Sequence, residues 1–331
     1  MKPFEYARPE TETEAVEFLA DHHGDTAVLA GGTDLITLMQ LDLCSPKRVV
    51  DLKRVPSLRG VREVEDGVMI GALTTLEELY EDPLVAGYPS IRHVIEEIRA
   101  IQIQSSGTLG GDLCHRPNCW YYRGGHGLLA MQNGRSLVEE GDNRFHAIFD
   151  NQGPAKFVSA SRFAPALIAL RAQVRILGPA SGQEQMVSLE DFYRTPRTDR
   201  QDVTILKPGQ LVSHIWLPAA GSRLSATYEV MPTEGLDWPL VAAAVCLEID
   251  GSRVRDAQIV MGHVAPTPRT ANAAVRSLLG RPVTAETAGE AGEAAVSEAT
   301  PLSNNEYKVR LAATAVKRAI LKSVDLLEEG L

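Results

Sequence analysis

The chain has 331 residues, 44% of them hydrophobic, and its 43 acidic and 33 basic side chains give a net charge of −10. This length and apolar content allow two or three packed domains, while the acidic balance argues against broad contact with nucleic acid or anionic lipid. No apolar run reaches membrane-spanning length, Met1-Lys2-Pro3-Phe4-Glu5-Tyr6 lacks the apolar core of a signal peptide, and four scattered cysteines (Cys44, Cys114, Cys119, Cys246) fit a reducing cytoplasm rather than a disulfide scaffold.

Residues 11–23 place Ala15, Val16, Phe18 and Leu19 at helical spacing, and Thr26 to Ala30 reads as a buried strand running into Gly31-Gly32. A second strand, Arg48 to Leu52, is followed by the segments 58–64 and 68–71 around the turn at Asp66-Gly67, an antiparallel pattern. Thr74 or Thr75 caps a helix through Leu79. Residues 90–101 form another helical pattern, ending in the polar stretch Gln104 to Asp112, which carries a second glycine pair. Residues 114–157 lack sustained periodicity and read as a long ordered insertion. The core pattern resumes at Pro165 to Leu170. From about Ser222 the texture changes to a hairpin, Leu240 to Ile249 and Val254 to Met261 around Asp250-Gly251. Residues 284–299, rich in Ala and Glu, read as a solvated helix, with a disordered linker as the alternative.

Diphosphates bind where consecutive backbone amides point into one space and no side chain blocks the approach. Leu29-Ala30-Gly31-Gly32-Thr33-Asp34-Leu35 fits that description. Thr33 adds a hydroxyl, and Asp34 must either point away from phosphate or cap a helix. Thr108-Leu109-Gly110-Gly111-Asp112 offers a second such loop. Neither has the spacing of a Rossmann turn or a P-loop, and each glycine pair taken alone is equally consistent with a tight turn.

The order of these segments carries more. Ala30-Gly31-Gly32-Thr33-Asp34-Leu35 and Gly107-Thr108-Leu109-Gly110-Gly111-Asp112-Leu113, with Val50-Asp51-Leu52, Ile70-Gly71-Ala72-Leu73-Thr74-Thr75 and Ala265-Pro266-Thr267-Pro268-Arg269, resemble the FAD-binding subunits of the xanthine dehydrogenase and carbon monoxide dehydrogenase family along nearly the whole chain. The resemblance implies an α+β protein: two α/β FAD-binding subdomains (about 1–57 and 58–220, with the insertion at 114–157), then a smaller α+β C-terminal domain over 221–331. It implies noncovalent FAD held by Leu29, Ala30, Gly31, Gly32, Thr33, Asp34, Leu35, Thr108, Gly110, Gly111 and Asp112. It also implies electron transfer within a complex whose partners are a large molybdopterin subunit and a two-iron iron-sulfur subunit, with no catalytic residue of its own. The competing readings are a self-contained NAD(P)H reductase and a non-catalytic flavin-binding assembly protein.

Two positions depart from the family pattern. Ser161-Arg162 replaces a Ser-Asp pair whose acid is given an adenosine contact, and Glu229, after Tyr228, stands where relatives often carry a lysine; both bear on flavin potential and acceptor choice. The insertion resembles that of the benzoyl-CoA reductase and periplasmic aldehyde oxidase subgroup, whose loop holds a four-iron cluster. Such a cluster normally takes four thiolates, and here only Cys114 and Cys119 are near. The loop is therefore expected to persist without its metal, ordered by Trp120, Tyr121, Asn143 and His146; a zinc site from Cys114, Cys119, His115, His126 and His146 is the alternative.

Overall fold

Apolar alternation and turn chemistry build three main sheets in the computed structural model, which describes residues 1–20, 25–235 and 237–327. Near the N-terminus, Arg48–Asp51 lies between Glu5–Ala7 and Thr26–Leu29, and all pairs are parallel. Helix Glu12–Ala20 buries Ala15, Val16 and Leu19 against this sheet; the end of the expected helix, residues 21–23, lies outside the described residues.

A five-stranded antiparallel sheet follows, in the order Val61–Val64, Gly67–Gly71, Leu211–Pro218, Gln173–Leu177, Glu184–Ser188. Its helices start on identifiable signals. Thr75 and Glu78 form a reciprocal capping box at helix Leu76–Glu81. The helix expected over 90–101 instead ends at Glu96, and a separate short helix, Ile101–Ser106, runs into the second glycine pair. The cause is local and tertiary together. The Gln104 amide donates to the Ile98 carbonyl at 2.6 Å, and the Arg99 amide donates to Gly235 O at 3.2 Å, drawing the chain off the helix axis.

The C-terminal sheet orders Leu224–Val230, Val241–Asp250, Arg253–Gly262 and Arg269–Thr270 antiparallel. Small alanines along Val241–Asp250 let helix Tyr307–Ser323 pack closely over one face, and helix Ala285–Ala295 packs against that helix. Thr284 caps the first of these in a capping box with Thr287, so the Ala- and Glu-rich stretch is a helix and not a linker. The insertion holds a short helix, Trp120–Arg123, a two-residue hairpin at 131–136 and helix Leu137–Glu140. Among the described residues no helix is long and apolar enough to cross a membrane.

Candidate functional site

The first strand-to-glycine turn and the second glycine loop meet. A Cβ on Gly31 would lie 1.7 Å from the carbonyl oxygen of Ser106, so this glycine is required where one loop lies on the other. Gly110 is likewise fixed by packing, its Cβ position 2.6 Å from the Ala72 methyl. Gly32 sits at φ +78°, a conformation that favours glycine.

Between the loops opens a cavity of about 660 Å³, lined by Ala30, Gly31, Gly32, Thr33, Asp34 and Leu35 on one side and Thr108, Gly110 and Gly111 on another. Leu29 and Asp112, named with them from sequence, do not line it. Thr26–Leu29, expected within a buried strand, is only half-buried, because Thr26, Ala27 and Val28 lie on the cavity wall and Val28 is exposed.

The loops differ in what their backbone offers. Among the described residues, none accepts a hydrogen bond from the amides of Gly32, Thr33, Asp34 or Leu35, so four consecutive N–H groups at the start of helix Leu35–Gln40 are left for a ligand. In the second loop the amides are already committed. Leu109 N donates to Thr74 O (3.1 Å), Gly110 N to Ala72 O (2.9 Å), Asp112 N to Thr108 O (2.9 Å), and Gly111 N to the Thr108 hydroxyl (3.1 Å). This loop offers space instead: a Cβ on Gly111 would meet only Thr108 Oγ1, 2.8 Å away.

Both aspartates are held by protein donors, by different means. Asp34 occupies the N-cap position without capping through its side chain. Its carboxylate accepts from Arg123 Nη1 at 2.6 Å and from the Arg116 backbone amide at 3.2 Å. Asp112 is bound by the Ser161 hydroxyl and by the amides of Arg162 (3.2 Å) and Phe163 (3.1 Å). Burial raises its carboxyl above the ordinary range, and the Ser161 hydroxyl and the amides pull it back only in part.

The two departures at 162 and 229 meet each other. Arg162 forks onto Glu229, with Nε donating to Oε1 at 3.2 Å and a second, shorter bond to Oε2, and both side chains are buried. The pair joins the segment that holds Asp112 to the first strand of the C-terminal sheet. Neither residue lines the cavity. Two substitutions that looked independent in sequence are mutually compensating charges.

In the insertion, Cys119 Sγ and His146 Nε2 lie 3.2 Å apart, and Trp120 packs edge-on to Phe145 at 5.3 Å. Asn143 donates to Val138 O and Ser303 Oγ and accepts from Asn304 N. Lys308 donates to the carbonyls of Phe145, His146 and His263. Among the described residues no group of three or more His, Cys, Asp or Glu stands where it could hold a metal ion; Cys114 faces the cavity, and Cys119 lies against His146.

A family model described as the FAD binding domain in molybdopterin dehydrogenase matches residues 2–220, and one described as the CO dehydrogenase flavoprotein C-terminal domain matches residues 226–323. The chain belongs to the FAD-binding subunits of the molybdenum hydroxylases. As such it is an FAD-dependent oxidoreductase component. The medium chain of carbon monoxide dehydrogenase from Hydrogenophaga pseudoflava is 28% identical over 322 residues, spanning 96% of each chain. The FAD-binding subunit PaoB of an Escherichia coli K12 aldehyde oxidoreductase is 26% identical over 327 residues, spanning 94% of this chain and 95% of its own. A crystal structure of the Hydrogenophaga pseudoflava carbon monoxide dehydrogenase that lacks the Mo-pyranopterin moiety matches with a TM-score of 0.77 at 27% identity, over 99% of this chain and 100% of that one. The likeness therefore extends over both parts of the chain.

Sequence reasoning missed Arg116 and the segment 199–206, most of which lines the cavity. Nothing local marks them; they reach it through the insertion and through the loop preceding strand Leu211–Pro218.

Proposed function

We propose that this flavin subunit holds one noncovalent FAD in the cavity between the glycine loops and passes electrons from an iron-sulfur partner to an external acceptor, beside a molybdopterin-binding large subunit. In this reading residues 1–220 are the FAD-binding unit and 221–331 the C-terminal unit, and the complex works in the cytoplasm. The observation that carries the assignment is the run of four uncommitted amides, Gly32 to Leu35, opposite the open face of Gly111. A diphosphate needs that combination: N–H groups at a helix start and no side chain in its path.

Bound FAD accepts and releases electrons; the chain's own residues hold and enclose it. The first loop donates through its backbone, Thr108 and Gly111 keep the opposite side clear, and Leu38, Leu52, Leu73 and Leu211 supply apolar wall that keeps water from the cofactor. The two thiols on the wall are poor nucleophiles. Burial pushes Cys114 up to about 12 and raises Cys44, so both stay protonated at neutral pH. A cavity of this kind suits electron passage rather than covalent chemistry on an organic substrate.

The test is copurification from the native host followed by NAD(P)H oxidation assays with and without companions. Recovery of a molybdopterin subunit and a two-iron subunit, with turnover only in the complex, is expected. A fully active single chain would favour the self-contained reductase.

A further inference from the structure

The insertion meets the first glycine loop at Asp34, where His115 Nδ1 lies 3.7 Å from Oδ2 and Arg123 donates to Oδ1. Arg123, on the short helix Trp120–Arg123, uses all three of its nitrogens. Nη1 donates to Asp34 Oδ1 at 2.6 Å, Nη2 to Arg116 O at 3.0 Å and Nε to Pro117 O at 3.1 Å. Its guanidinium and the Asp34 carboxylate are each only 16–17% exposed. Arg116 continues the chain of contacts, its amide donating to Asp34 Oδ2 and its guanidinium pairing with Asp202 Oδ2 at 2.8 Å. Asp34, Arg116 and Asp202 all line the cavity.

Electrostatics makes this arrangement consequential. Asp34 belongs to the run of free amides, so its carboxylate is attached to the very backbone that would receive a doubly charged diphosphate. A like charge within a few ångströms in a partly desolvated site opposes anion binding. A charge-assisted bond from Arg123 Nη1 that neutralises the carboxylate removes that opposition.

We propose that Arg123 is a positioning residue for the cofactor diphosphate: by binding Asp34 it neutralises the one acid of the first glycine loop, and the insertion thereby acts as a metal-free brace for that loop. The inference rests on the FAD reading above and adds to it a role for the insertion. No redox or covalent step is involved.

The test is FAD titration of the deflavinated full chain, read by flavin fluorescence, alongside circular dichroism of the apo form. Arg123→Met should weaken FAD on the order of tenfold, and Arg123→Lys, which keeps the charge and loses the bonds to the Arg116 and Pro117 carbonyls, about threefold. Adding Asp34→Asn to Arg123→Met should restore most of the affinity, because the uncompensated carboxylate is what repels. Raising salt should narrow the gap between Arg123→Met and wild type by screening that repulsion. A purely structural role for Arg123 predicts neither recovery. Wild-type affinity in both Arg123 variants, or a double variant as weak as Arg123→Met at all salt concentrations, would overturn the proposal. Failure of the wild-type chain to bind FAD would instead overturn the reading on which it rests. Should Arg123→Met not fold, Arg123→Lys at low and high salt decides the matter alone.

Discussion

The two glycine loops look like copies in sequence, each a Gly-Gly pair with an aspartate one or two residues on, yet the structure gives them opposite tasks. The first leaves the amides of Gly32 to Leu35 without acceptors and ties its acid to a cation 89 residues away. The second commits the amides of Leu109 to Asp112 to protein acceptors and binds its half-buried acid with neutral donors. Among the described residues one loop keeps its amides without acceptors and the other has them committed. A glycine pair therefore marks a close approach without saying what approaches: for Gly31 it is the Ser106 carbonyl, for Gly110 the Ala72 methyl, and for Gly111 the Thr108 hydroxyl alone.

The largest effect that would sharpen this contrast is at Gly32. Valine there must adopt φ +78° with a branched side chain, and its Cβ would press within 3.2 Å of Ile36 and Leu29. Complete loss of bound flavin is expected, measured as FAD released from equal amounts of folded protein; retention would show that the first loop does not donate.

On the second loop, the support behind Asp112 is the next target. Glu229→Leu leaves Arg162 buried without its partner and should lower stability by roughly 3–5 kcal/mol, whereas the swap Arg162→Glu with Glu229→Arg should recover much of it. Chemical denaturation of both reads this out. A single variant as stable as wild type would show that the pair does not support the loop.

A smaller effect separates the insertion from the loops by pH. Burial holds His146 down to about 4 and His263 to about 3, with nearby cations adding to the effect. Folded values below the unfolded value of about 6.5 mean that the unfolded chain binds the extra protons, so stability is complete above that pH and is lost as pH falls toward 4. The slope should approach roughly 1 kcal/mol per pH unit for each histidine. Hydrogen exchange should show the segment around His146 opening on acidification before the first glycine loop does; simultaneous opening of both would erase the distinction.

The sequence made the outlines of this picture readable. Apolar runs around Asp250-Gly251 marked the C-terminal hairpin, and Thr74 or Thr75 the start of a helix. What it could not show was anything that depends on partners far along the chain. Arg162 and Glu229 were each visible as a departure, but their pairing spans 67 residues, and the Arg123 to Asp34 bond spans 89. The commitment of the second loop's amides depends on Ala72 and Thr74, which arrive from the end of a strand. The helix break after Glu96 depends on Gln104 and Gly235 in the same way.

The smallest expected signal is iron. Cys119 has His146 as its neighbour, and Cys114 is held protonated on the cavity wall, so anaerobic purification followed by iron and acid-labile sulfide analysis should find neither in the isolated chain. About four of each per chain would contradict the view that hydrogen bonds and aromatic packing order the insertion.

The most direct measurement of the central claim, that FAD lies between the two loops, is titration of the deflavinated chain and its Gly111→Val variant with FAD. The added side chain would disturb only the Thr108 hydroxyl within the protein, so circular dichroism of the apo variant should match wild type while the space facing the first loop is filled. The account predicts one FAD per wild-type chain and no measurable binding to the folded variant. Equal FAD binding by both would place the cofactor elsewhere and contradict it.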